Sequence, residues 1–106
     1  MIDKSKALNV FHITEQEYDE MLVEFVAQAR AQSSAIGTAI EQGALDKAAV
    51  VAHSLKGVSG NLRLDACFNI AKNIEFALKE NKTGEIKEIL FDLENAIQEI
   101  ADSIKQ

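Results

Sequence analysis

The chain has 106 residues and a net charge of −6, with 17 acidic against 11 basic residues. That length suits one domain, here residues 1–106, which can bury a core without disulfides or a structural metal. The acidic balance argues against nucleic acid and against anionic membrane surfaces, both of which call for a basic face. Proline is absent and hydrophobic residues make up 47% of the chain, which favours an all-helical fold. The longest uninterrupted apolar run, residues 48–52, is far too short to span a bilayer. No apolar stretch near the N-terminus resembles a signal peptide, so a soluble, cytoplasmic protein is expected. The one cysteine, Cys67, falls on an apolar stripe and reads as a small buried side chain in a reducing compartment.

A short helix is predicted over about 4–10, with Leu8 and Phe11 as its apolar face, lying as a flap on a larger body. Thr14-Glu15-Gln16-Glu17 has the form of a capping box and opens the first long helix, 15–42. Tyr18, Leu22, Phe25, Ala29, Ile36 and Ile40 define its inner face. Gln32 and Ser33 interrupt that face, which predicts a kink or a polar layer, and Gly43 is the natural stop. The second long helix spans 45–61, with Val51, Leu55, Val58 and Leu62 as the predicted buried stripe. Asp65 is the expected cap of the third, 66–80, whose stripe is Cys67, Ala71, Ile74 and Leu78. Thr83 is the expected cap of the last, 84–105, with Ile86, Leu90, Leu93, Ile97, Ile100 and Ile104 in line. Four apolar stripes joined by short turns predict an all-α, antiparallel up-down four-helix bundle with a short N-terminal flap helix.

Residues 53–61, reading H-S-L-K-G-V-S-G-N, break the helical pattern in an informative way. Gly57 and Gly60 each cost a helix interior about 1 kcal/mol relative to Ala, which points to something approaching the backbone closely. At 100° per residue, His53, Lys56, Gly57 and Gly60 fall opposite the Val51 stripe. His53 is thereby an accessible imidazole rather than a core histidine. Lys56, three residues on, is its surface neighbour, placed to pair with an anion held on the ring. The two glycines remove side chains that would obstruct an incoming surface. These features suit phosphoryl transfer, where positioning and charge neutralisation carry most of the catalysis. If the chain turns around Leu64, Glu75 stands eleven residues after it as His53 stands eleven before. Its carboxylate would then accept a hydrogen bond from one ring nitrogen and leave the other as nucleophile.

The stretch resembles the signature of histidine-containing phosphotransfer (HPt) domains of two-component phosphorelays: H-x-L-K-G, a small residue and Asn, here His53, Leu55, Lys56, Gly57, Gly60 and Asn61. The resemblance extends to the flap, the bundle and a residue facing the histidine from the next helix. It implies that His53 is the phosphoacceptor, that Lys56 steadies the phosphoryl group and that Glu75 orients the ring. It also implies that Gly57, Gly60 and Asn61 belong to the docking surface. By their place near the flap, Phe11, Ile13 and Met21 read either as an apolar rim for docking or as packing that pins the flap down. The implied partners are response-regulator receiver domains, a sensor histidine kinase, or both. Such a domain is a phosphocarrier rather than an enzyme, exchanging phosphate between His53 and receiver aspartates. Glu75 is similar to the phosphotransfer domains of chemotaxis kinases, which leaves direct phosphorylation by an ATP-bound kinase as the alternative. A helical interaction module that carries no phosphate is a third reading.

No cofactor or metal is expected, and any divalent ion would belong to the partner receiver. Neither His53 nor His12 is preceded by the Glu that a di-metal bundle motif requires, and no G-x-x-x-x-G-K nucleotide loop is present. Lys72 and Lys79 on the outer side of the third helix would add positive charge near the site. Phe76 and Phe91 lie off their stripes, as partner contacts or flank packing. A monomer is expected, because the four stripes satisfy one another.

Overall fold

The computed structural model describes residues 4–104. Five α-helices follow in order: α1 (Lys4–Phe11), α2 (Glu15–Glu41), α3 (Leu45–Asn61), α4 (Asp65–Lys79) and α5 (Ile86–Ser103), with a 3-10 turn, Thr83–Glu85, leading into α5. No strand occurs among the described residues. Lys105, the expected last residue of the final helix, lies outside them.

Local chemistry sets the boundaries. The Thr14 hydroxyl accepts from the Glu17 amide at 3.1 Å while the Glu17 carboxylate accepts from the Thr14 amide at 2.9 Å, a reciprocal capping box. The hydrogen bond from the Thr14 backbone, then that with its hydroxyl, holds the Glu17 carboxyl below the usual carboxylate range. Three helices end in the same closure. The amides of Ala44, Leu64 and Lys82 reach back to the carbonyls of Ala39, Ser59 and Ala77 at 2.8, 2.9 and 2.8 Å. The residue before each amide is left-handed: Gly43 (φ 72°), Arg63 (φ 60°) and Asn81 (φ 57°).

Two expected caps are corrected. Asp65 is the first residue of α4, after Leu64 in the cap position, and its side chain makes no cap hydrogen bond. Thr83 lies in the 3-10 turn and does not cap α5 either. The cap positions fall on Leu64 for α4 and, after the 3-10 turn, on Glu85 for α5, so the expected caps lie one residue too late and two residues too early.

α3 packs on α2 and α4, and α5 packs on α4 and α2, so the four long helices form a closed ring around one core. Tyr18 meets Leu62 while Gln32 meets Ser54, so α2 and α3 run in opposite directions. Arg30 meets Gln98 and Gly37 meets Leu90, so α2 and α5 do too. α2 is continuous through the polar pair: Ser33 is buried in line with Ala29 and Ile36, while Gln32 donates to the Ser54 hydroxyl at 3.2 Å.

The stripe predicted for α3 is also corrected. The buried line is Ala48, Ala52, Leu55, Ser59 and Leu62, with Val51 and Val58 half-buried on one flank. α3 stands between two neighbours, and its innermost positions hold small side chains so that both can approach. Hydrophobic size therefore pointed to the flank. The shift rotates the inward direction by about 50° toward the side that carries Lys56.

Tyr18 is fully buried, and its hydroxyl donates at 2.7 Å to the carbonyl of Leu62, a helix-end carbonyl with no partner inside α3. α1 is held by Lys4, whose ammonium reaches Asp19 Oδ1 at 2.6 Å and the Ser103 carbonyl at 2.7 Å. A cation is favoured at that α5 terminus by its exposed carbonyl dipoles. Burial pushes the Cys67 thiol up to about 11, as expected of an inert core residue.

Tyr18→Phe leaves the Leu62 carbonyl buried without its donor and should lower unfolding stability by about 1–2 kcal/mol in denaturant titrations. Desolvation first, then the charges of Asp19 and Asp65, raises the Tyr18 hydroxyl above its ordinary 10.0. Its contribution is therefore complete below pH 10 and declines as pH rises further. The stability gap between wild type and Tyr18→Phe should narrow in that alkaline range.

Candidate functional site

His53 lies on α3 well away from the buried line, with 73% of its side chain exposed. The tight closure after α3 sets α4 against it in a register that pairs positions equidistant from Leu64. Gly60 accordingly faces Phe68, and His53 faces Glu75. Glu75 sits on the flank of the α4 core stripe of Cys67, Ala71, Ile74 and Leu78, where its carboxylate reaches toward α3.

Glu75 engages two partners. Its Oε2 lies 3.4 Å from His53 Nδ1, at the long end of the hydrogen-bond range, and its Oε1 lies 3.0 Å from Lys56 Nζ. A carboxylate can only accept, so a hydrogen bond there requires a proton on Nδ1. In a neutral imidazole Nε2 then carries the lone pair, on a ring that is largely exposed. Lys56 and Glu75 are about equally shielded, at 28% and 27% side-chain exposure, which screens their pair less than a fully solvated one.

The ion pair between Lys56 and Glu75 was not read from the sequence, which placed Lys56 only beside His53. The signal was there: a carboxylate in register with position 53 also faces position 56, one turn on. The bond from Gln32 to Ser54 was missed too, because the register between the first and second long helices could not be derived from sequence.

The glycines play different parts. A Cβ on Gly57 would meet nothing within 4 Å, so this position is open beside His53. A Cβ on Gly60 would lie 3.1 Å from a Phe68 ring carbon, so Gly60 admits the close approach of α4. Asn61 is exposed at the end of α3. Phe11 and Ile13 are half-buried against the core, the Phe11 ring 6.3 Å from that of Tyr18, and they serve the packing of α1. Met21 is 39% exposed on α2. Lys72 and Lys79 are exposed, and Phe76 and Phe91 present large apolar surface to solvent. The structure thus brings His53, Lys56, Glu75 and Gly57 to one place and puts Phe11 and Ile13 in the packing of the flap.

Among the described residues no group of His, Cys, Asp and Glu side chains is arranged to hold a metal ion. No helix there is long and apolar enough to cross a membrane.

No curated protein and no solved structure matches the chain. The family model described as the Hpt domain matches residues 20–103, which include all of α3, α4 and α5 and most of α2. The match spans His53, Lys56 and Glu75, and with it the chain belongs to the Hpt domain family, the phosphocarrier modules of two-component signalling.

Proposed function

We propose that this protein is a phosphorelay intermediate that takes a phosphoryl group onto His53 from a receiver-domain aspartate and passes it to another. The observation that carries this reading is the Glu75 carboxylate beside Nδ1 of a largely exposed ring, which leaves Nε2 free. The Nε2 lone pair attacks phosphorus, the N–P bond forms as the acyl phosphate P–O bond breaks, and the aspartate carboxylate leaves with the electron pair. The Nδ1 proton stays on the ring, and the positive charge gained by the imidazole faces Glu75. Lys56, released from Glu75, neutralises phosphoryl oxygens. Donation to the next aspartate is the same step reversed.

Gly57 leaves room for the partner, and the exposed Asn61 and Met21 are further docking residues in this reading. The reading needs no cofactor or ATP site on this chain, because the high-energy phosphate arrives already formed. It fits a cytoplasmic monomer on an antiparallel up-down bundle, the topology these helix contacts favour. A second reading, direct phosphorylation by an ATP-bound kinase domain, is favoured by the carboxylate at Glu75. Label arriving from isolated kinase domain and ATP, and not from a phosphorylated receiver, would select it.

His53→Gln should abolish acid-labile labelling from a radiolabelled phospho-receiver, with the helical circular dichroism unchanged; equal labelling of this variant would sink the phosphotransfer reading. Glu75→Ala should slow transfer by about 10- to 100-fold. In nitrogen-15 spectra it should shift the neutral His53 ring from the Nδ1–H toward the Nε2–H tautomer. Gly57→Ala should stabilise the fold by about 0.5–1 kcal/mol, since Ala is the better helix former and the site is open. The same methyl should slow transfer if the partner covers this position.

A further inference from the structure

The chain closes three helices with the same left-handed turn, and the residues asked to adopt it differ. Gly43 has no side chain to clash, and Asn81 tolerates the conformation. His12, at φ 55°, belongs to the same tolerant group. Arg63, at φ 60°, does not. Its position is enforced by the amides of Arg63 and Leu64, which bond Gly60 and Ser59 at 3.2 and 2.9 Å, and by the buried side chains of Leu62 and Leu64 on either side. The arginine side chain is exposed, and no ion pair engages its guanidinium among the described residues. The carbonyl dipoles at the end of α3 favour a cation nearby, but that preference does not require the left-handed position itself, where Gly or Asn is better tolerated, so an arginine held there still calls for an explanation.

Charge distribution supplies one. Residues 45–79, which make up α3, the turn and α4, contain five basic and three acidic residues. The rest of the chain contains six basic and fourteen acidic. The half of the bundle that displays His53 is therefore positive on a negative molecule. Arg63 lies ten residues from His53, roughly 15 Å along the helix direction. A typical interface covers about 800 Å² on each partner, a disc of roughly 16 Å radius. An interface of that size centred on His53 extends as far along the helix as Arg63, and both side chains are exposed.

We propose that Arg63 is a docking residue for an acidic surface on the protein that exchanges phosphate with His53, retained at a position where the fold alone favours glycine. This rests on the phosphotransfer reading and adds to it the charge of the partner and the far edge of its footprint. Lys72 and Lys79 extend the same positive field along α4, whereas Lys56 is already held by Glu75. The contact accelerates encounter and orientation, and leaves the transfer step within the complex unchanged.

Four variants separate strain from charge: Arg63→Gly and Arg63→Asn relieve the strain and remove the charge, Arg63→Ala removes the charge only, and Arg63→Lys keeps both. Each is assayed by thermal melting and by single-turnover exchange with a radiolabelled phospho-receiver that labels the wild type. Arg63→Gly should melt about 2–6 °C higher than wild type, while Arg63→Ala and Arg63→Lys should not. The second-order exchange rate of the Gly, Asn and Ala variants should fall about 3- to 10-fold at 0.05 M salt and approach wild type at 0.5 M. Their rate at saturating receiver should be unchanged, and Arg63→Lys should stay within about twofold throughout. Exchange by Arg63→Gly as fast as wild type at low salt overturns the proposal and leaves the phosphotransfer reading intact. Failure of Arg63→Gly to raise the melting temperature removes the strain premise and overturns it as well. A wild type that no phospho-receiver labels overturns both readings together.

Discussion

The closure after α3 is the constraint on which the site depends. Six residues, from Ser59 to Leu64, reverse the chain through two backbone hydrogen bonds, and both flanking leucines are buried. That geometry permits little slippage between α3 and α4. Slip by one residue would rotate one helix by about 100° relative to the other and carry Glu75 out of reach of His53. The buried Tyr18 hydroxyl fastens the same end by satisfying the Leu62 carbonyl from α2. A backbone motif distant from the imidazole thus sets what the imidazole sees.

The other organising feature is that α3 is thin on its inner side. Ala48, Ala52 and Ser59 occupy the buried line, and Gly60 admits the Phe68 ring at the contact with α4. Close approach brings the flanks of the two helices together. The Glu75 carboxylate can then touch the ring and the Lys56 ammonium from a single rotamer. Bulky residues along the same line would hold α4 away and leave His53 as an isolated surface side chain.

Much of this was legible in the sequence, and the reasons differ from residue to residue. The capping box at Thr14 and the stop at Gly43 are local chemistry, which sequence reveals directly. The approach of Glu75 to His53 followed from counting outward from Leu64, because a short turn converts sequence distance into height along a helix pair. The buried line of α3 was misread by a fraction of a turn. Large residues point to the flank, whereas a helix set between two others buries its small ones, here Ala48, Ala52 and Ser59. Asp65 and Thr83 suit capping by residue type, but the turns before them place Leu64 and Glu85 at the helix starts instead. Arg63 gave no sequence signal, since nothing in its side chain announces a left-handed backbone. The link from Lys4 to Ser103 joins residues too far apart for any local pattern to reveal.

That link has a consequence for how the chain assembles. The contacts of α3 with α4 join residues close in sequence and require little chain to be closed before they form. Lys4 bonds the last turn of α5, 99 residues on, and so closes a loop that takes in nearly all of the described chain. Because that loop's entropy is lost for little direct contact, the clasp is stable only once the ring of four helices already stands. α1 is therefore a latch on a finished structure. Its attachment reports that the first and last long helices have come together at one end of the bundle.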